Sequence, residues 1–275
     1  MNAASTSAAS SVASEPVIFM DRVATGSIRD PDLTVAEEVN WSVAAGDYWV
    51  VAGLQGSGKS DFLLMTGGLM GPQDGRYTLF GEPMPIFDDA RLQTRLRLGL
   101  AFEGGQLLAH LTVRENVALP IRYHHNLSAA QAHDAVSEAL EEMELGPWAD
   151  TTPGSLSRNW LKRVGVARAL MLKPQLLLVD DPIAGMDLRH AQWWLGFLDE
   201  LARGRKWPGN GPLTLVVTTS DLRPWKGRAR QFAMLHDKTF RILGGWPEVE
   251  AAKSDVIHQL LMNEIPRPDE RPAKN

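Results

Sequence analysis

The chain has no cysteine, which excludes disulfides, thiolate metal centres and a cysteine nucleophile. It also lacks a surplus of basic charge: 28 Lys and Arg stand against 33 Asp and Glu, a net of −5 at pH 7. Coating duplex nucleic acid takes clustered excess Lys and Arg to neutralise phosphates, so no direct nucleic-acid contact is expected. No apolar run approaches the roughly 20 residues that a membrane helix needs. Any work at a membrane would need another chain to span it. The opening "MNAASTSAASSVASE" is rich in Ala and Ser and has neither a basic stretch nor an apolar one. Residues 1–15 are therefore expected to be a disordered tail and not a signal peptide.

What is present is a 44% hydrophobic composition over 275 residues, ample for a large core. Apolar, β-rich runs recur at "PVIFMDRV", "VNWSV", "YWVVAG", "YTLFG", "LGLAFE", "LLLVDD", "LTLVVTT" and "FAMLHD", with helical segments between many of them. That alternation predicts an α/β fold. Strands stop between about residues 107 and 157, where "LSAAQAHDAVSEALEEMEL" places Ala132, Val136, Leu140 and Met143 on one helical face behind Ser128 as N-cap. This stretch is expected to be a helical insertion in a main domain spanning 16–250. The remaining 251–275, ending in "NEIPRPDERPAKN", is expected to be a partly disordered extension. In "AQWWLGFLDEL" the spacing of Trp193, Trp194, Phe197 and Leu198 predicts a stripe facing the core.

Gly53, Gly58, Lys59 and Ser60 in "VAGLQGSGKSD" fit G-x-x-x-x-G-K-S/T between a strand and a helix. Glycines there let backbone amides curl around phosphate oxygens. The helix N-terminus adds positive potential, the lysine neutralises phosphate charge, and the serine can ligate Mg²⁺. Gly53, Gly56, Ser57, Gly58, Lys59, Ser60 and Asp61 are thus the candidate nucleotide cradle. "LLLVDDP" ends an apolar strand in two carboxylates, as a phosphoryl-transfer site requires: Asp180 near Mg²⁺ and Asp181 near the attacking water.

Together with "LSRNWLKRVGVARAL", "GMD" and "VVTTSD", these motifs resemble the ATP-binding cassette (ABC) ATPases over roughly residues 16–246. Within that family "LAFEGGQLLAHLTVRENVALPIRYH" looks most like the ATPases paired with Mla-type permeases, which act in lipid traffic across the bacterial envelope. The resemblance implies a P-loop NTPase (RecA-like) core with an antiparallel β subdomain and an inserted α-helical subdomain. It also implies a homo- or heterodimer in which each ATP lies between one subunit's phosphate loop and Ser157 in the other's signature loop. Transmembrane permease subunits are the implied partners, contacted by residues 103–117. The implied position is peripheral, on the cytoplasmic face of the inner membrane. ATP and Mg²⁺ are the implied cofactors, with Ser60, Asp180 and Glu103 as metal ligands.

Several positions depart from the family pattern. Asp61 stands where a threonine is usual. At about 4 Å from a phosphate charge and an effective dielectric of about 20, its carboxylate would be repelled by about 4 kcal/mol. Turned outward instead, it would favour the helix N-terminus. Glu103 replaces the Q-loop glutamine, and its carboxylate remains a hard oxygen donor. Asp181 replaces the catalytic glutamate and is one methylene shorter, and a misplacement of about an ångström can cost ~100-fold in rate. Arg158, Asn159 and Trp160 replace Gly-Gly-Gln, where side chains crowd the close approach that glycines permit. Arg158 could instead reach phosphate. Ser220 stands in the place of the H-loop histidine, with a shorter hydroxyl. Asp181, Glu103 and Ser220 are the candidate catalytic set. The resemblance implies an ATPase driving a permease; the departures point to the alternative of a subunit that signals by ATP-dependent dimerisation without turnover.

Overall fold

The computed structural model describes residues 15–30, 32–84, 91–209 and 211–262. Most of the two expected tails, residues 1–14 and 263–275, lies outside them. Ten strands are described: β1 (Ile18–Gly26), β2 (Thr34–Val43), β3 (Tyr48–Ala52), β4 (Asp74–Leu79), β5 (Glu82–Pro83), β6 (Leu98–Ala101), β7 (Leu176–Val179), β8 (Thr214–Thr219), β9 (Gln231–His236) and β10 (Thr239–Gly244). They form one sheet in the order β5-β4-β1-β2-β10-β9-β3-β8-β7-β6. Strands β9, β3, β8, β7 and β6 run parallel. At the other end β5, β4, β1 and β2 are antiparallel.

The apolar runs have a physical cause. All five residues of β3 are buried, as in a parallel strand covered on both faces. Alternate residues go to opposite sides: Tyr48, Val50 and Ala52 join one core, while Trp49 and Val51 join the other. The second core holds α1 (Lys59–Thr66) against the antiparallel strands. There Phe62 stacks on Phe240 at 5.0 Å and tilts onto Trp41 at 5.7 Å. A short α2 (Leu92–Arg95) leads into β6.

After β6 come α3 (Val113–His124), α4 (Ala129–Glu142) and α5 (Arg158–Leu170). Each of the first two opens on a reciprocal capping box, Thr112 with Glu115 and Ser128 with Gln131, satisfying amides that the first turn leaves unpaired. The buried face of α4 is Ala132, Val136, Ala139 and Leu140, followed by Met143. Fully buried Asn116 uses its amide to hold the carbonyls of Leu108, Leu111 and Thr112, which fixes the loop before α3.

Beyond β7, α6 (Leu188–Arg203) buries Trp194, Phe197 and Leu198 as the spacing predicts. Trp193 is half-buried at the edge of the stripe: it packs against the same core and stacks on Phe197 at 5.0 Å, and the Arg163 guanidinium lies 3.4 Å from its ring centre. The chain ends its described part in α7 (Trp246–Ala251) and α8 (Asp255–Met262). Ile257 and Leu260 of α8 are buried and join the core, while the expected loose tail "NEIPRPDERPAKN" lies outside the described residues.

Candidate nucleotide site

The turn between β3 and α1 is shaped by contacts that only glycine permits. A Cβ on Gly53 would lie 2.4 Å from Ser57 Oγ and 2.6 Å from the Leu235 carbonyl. Gly58 has φ +87°, and a Cβ there would lie 2.1 Å from Val35 Cγ1. Lys59, 8% exposed, folds over this turn and donates from Nζ to the carbonyls of Gly53 at 2.8 Å and Leu54 at 3.0 Å. Burial lowers its pKa, while Asp181, Asp180 and Glu103 oppose the shift. The Ser57 hydroxyl is buried with no hydrogen-bond partner. A curved backbone, an orphan hydroxyl and a helix N-terminus together fit a phosphate group.

Strand register brings the acids to this turn. Val51 pairs with Thr218, and Val179 pairs with Val217, so Thr218 stands between β3 and the residue that follows β7. Its hydroxyl donates to Asp180 Oδ1 at 2.7 Å and accepts from the Asp181 amide at 3.0 Å. Asp181 sits at φ +35°, and its Oδ2 accepts from Ser220 Oγ at 3.1 Å. Burial raises the Asp181 pKa, whereas the Ser220 hydrogen bond and the charges of Lys59 and Lys162 pull it down.

A cavity of about 800 Å³ takes in Gly56, Gly58, Lys59, Ser60, Asp180 and Glu103. Among its lining residues, the Ser60 hydroxyl and the Asp180 and Glu103 carboxylates are oxygen donors of the kind a hard divalent cation such as Mg²⁺ takes. Of the other expected residues, Asp61 also lines this cavity, while Asp181 and Ser220 pair with each other outside its lining. Ser157 is the exposed N-cap residue of α5 and makes no capping bond. It is not among the lining residues of its own chain's cavity.

The departures have structural partners. The Asp61 carboxylate is not turned freely outward: Oδ1 accepts from the Ile28 amide at 3.1 Å, tying α1 to the loop after β1. Ile28 and Arg29 of that loop also line the cavity. Asp61→Ala is expected to cost about 1 kcal/mol of stability in chemical denaturation, the worth of one such hydrogen bond. It is expected to leave ATP affinity within about threefold by calorimetry, because a carboxylate bound to an amide adds only screened repulsion. Arg158 does not crowd the cavity of its own chain but approaches Glu103, Nη1 to Oε1 3.9 Å, with both side chains exposed. Such a pair is worth about 0–1 kcal/mol. Trp160 turns away to Trp148, ring centres 3.8 Å apart.

Two residues of the site stand inside quoted motifs without being singled out there. Thr218, in "VVTTSD", joins both aspartates. Lys162, in "LSRNWLKRVGVARAL", reaches from α5 to the Asp181 carbonyl, and no spacing marks it as a partner of that residue.

A glycine-built anion cradle at the carboxyl end of a buried parallel strand, with two aspartates at the end of the next strand but one, defines a P-loop nucleotide-binding protein. The family model described as "ABC transporter" matches residues 36–184, and the chain belongs to that family. It is 33% identical over 154 residues to the intermembrane phospholipid transport system ATP-binding protein MlaF of Escherichia coli K12, covering 56% of this chain and 57% of that protein. It is 35% identical over 162 residues to the lipoprotein-releasing system ATP-binding protein LolD of Psychrobacter arcticus, covering 58% and 72%. Among solved structures it resembles the ATP-binding cassette MJ0796 in a dimeric, post-hydrolysis state bound to ADP and Pi. That match has TM-score 0.72 and 26% identity, covering 83% of this chain and all of that one. The chain thus spans little more than half the length of MlaF.

Proposed function

We propose that this chain is the ATP-binding subunit of an ABC transporter, that it hydrolyses ATP slowly, and that it works as a dimer beneath separate permease subunits. The observation that carries the reading is the buried Lys59 ammonium, parked on its own loop's carbonyls in a cavity that Ser60, Asp180 and Glu103 also line. In its binding role Lys59 exchanges those carbonyls for phosphate oxygens. Ser60 and Asp180 would hold Mg²⁺, with Glu103 as a further oxygen donor, and the bound ion would neutralise phosphate charge. Asp181 takes the proton of the attacking water, and Ser220 orients its carboxylate.

Residues 16–250 are proposed as the ABC domain, with 107–157 as its helical insertion. Ser157, exposed at the start of α5, is proposed to face the nucleotide of the other subunit. Residues 103–117 are proposed to meet the permease. The similarity to MlaF, named for intermembrane phospholipid transport, supports phospholipid as the cargo class; a peripheral place on the cytoplasmic face of the inner membrane completes the reading. No helix among the described residues is long and apolar enough to cross a membrane, so a spanning partner is part of the reading. A second reading, ATP-dependent dimerisation as the signal without turnover, draws on the shortened base Asp181 and its Ser220 partner.

Sedimentation with millimolar MgATP tests the assembly. The chain is expected to pass from monomer to dimer with ATP and to remain monomeric without it. Phosphate release is expected to rise when the genomically adjacent permease is reconstituted in phospholipid vesicles. A monomer in both conditions, with no response to any adjacent permease, contradicts the transporter reading.

A further inference from the structure

Lys162 lies in the second turn of α5 and is only 2% exposed. No carboxylate among the described residues lies within salt-bridge distance of it. Its Nζ instead donates to three main-chain carbonyls of one segment: Asp181 at 2.7 Å, Ala184 at 3.3 Å and Pro182 at 3.4 Å. An ammonium has three donors and no acceptor, so this set of carbonyls uses all of them. The segment needs holding. Asp181 stands at φ +35°, in the left-handed region that disfavours a residue with a Cβ. Its amide is tied to Thr218 before the clamp, and Asp187 caps α6 after it through the His190 amide at 2.9 Å.

The same helix grips the other edge of the site. The Cα of Gly105 packs so close to Gly165 that a Cβ there would lie 2.9 Å away. Arg168 donates to the carbonyls of Gly105 at 2.9 Å and Gln106 at 3.0 Å. One helix therefore holds both the stretch that follows Glu103 and the stretch that begins at Asp181.

We propose that Lys162 is a positioning residue for hydrolysis: it clamps the backbone of Asp181–Ala184 to α5, so that the Asp181 carboxylate and the helix that opens at Ser157 move as one body. This rests on the reading of Asp181 as general base. With a side chain one methylene shorter than glutamate, the carboxylate's position depends on where the backbone stands, and the clamp sets that. Events at Ser157, at the start of the helix, are thereby transmitted to the base.

The test compares Lys162→Met, which keeps the bulk and removes the donors, with Lys162→Gln, which keeps a donor. For Lys162→Met, kcat for ATP is expected to fall about 100-fold with KM within about threefold, because Lys59 and Ser60 are untouched. Lys162→Gln is expected to recover a large part of kcat.

Amide hydrogen exchange reads the clamp without turnover. In Lys162→Met the amides of Asp181, Ala184 and Met186 are expected to exchange at least about tenfold faster, with β7 and β8 unchanged. A wild type that releases no phosphate defeats the hydrolytic reading, while this exchange result still decides the clamp. Unchanged exchange across 181–186 in Lys162→Met overturns the proposal. So does an equal loss of ATP binding and kcat in both variants, since that marks a merely structural lysine.

Discussion

Lys59→Ala is expected to weaken ATP binding by at least about 100-fold in isothermal titration, with the fold retained by circular dichroism. Among the described residues the ammonium of the free protein bonds to the carbonyls of Gly53 and Leu54 in its own loop, and burial works against its charge. The free state therefore gains little from it. A phosphate oxygen offers a formal negative charge instead. A hydrogen bond between charged groups is worth about 1.5–3 kcal/mol, and two charges about 4 Å apart attract by about 4 kcal/mol at an effective dielectric of about 20. These overlap and are not summed. About 3 kcal/mol of loss corresponds to a little over 100-fold in affinity. Asp180, Asp181 and Glu103, which oppose the lysine's loss of charge, add repulsion toward phosphate once the lysine is gone.

Asp181→Asn is expected to lower hydrolysis by about 100-fold or more, the usual contribution of a general base, while ATP still binds. Asparagine keeps an oxygen to accept from Ser220 and cannot take a proton. The same substitution is expected to raise the melting temperature at pH 7–8. Burial holds the Asp181 pKa above the ordinary carboxylate range, so the folded chain binds this proton more readily than the unfolded one. The group thus subtracts stability once pH exceeds its folded pKa, and that loss vanishes as pH falls below the unfolded value. Wild type and Asp181→Asn are expected to differ in melting temperature at neutral pH and to converge toward acid pH. The raised pKa also places the acid limb of the pH–rate profile above that of an exposed aspartate.

The parts of the site that are local in sequence were legible. Gly53 to Ser60 announce a cradle because close backbone approach and positive φ demand glycine at particular spacings, and the structure shows those contacts at Gly53 and Gly58. Ser128 and the apolar period of α4 were legible for the same reason, since a cap and a face lie within one helix. The wholly buried β3, β7 and β8 were legible as apolar, β-rich runs. What stayed hidden joins distant segments. Thr218 reaches Asp180 across 38 positions, Asp61 reaches Ile28 across 33, and Lys162 reaches Asp181 across 19. No periodicity records such pairs. β10 was missed because it is mostly exposed or half-exposed and lacks a long apolar run. Trp193 keeps its place against Phe197 and the core, and its cover by Arg163, itself bound to Glu144 at 2.7 Å, stayed hidden because it joins two separate helices.

The departures from the family pattern are thus contacts of this fold. Asp61 holds the loop that borders the cavity, Glu103 faces Arg158, and Ser220 holds Asp181. The cradle is intact, and the shortened base is tied to a shortened partner, which is why binding and slow turnover are proposed together.

Phosphate release from MgATP by the purified chain, measured beside Lys59→Ala and Asp181→Asn with ATP binding followed in parallel, tests the central claim most directly. The expected result is slow release by wild type, release at background in both variants, and ATP binding retained by Asp181→Asn but lost in Lys59→Ala. Equal release by all three proteins, or tight ATP binding by Lys59→Ala, would contradict it.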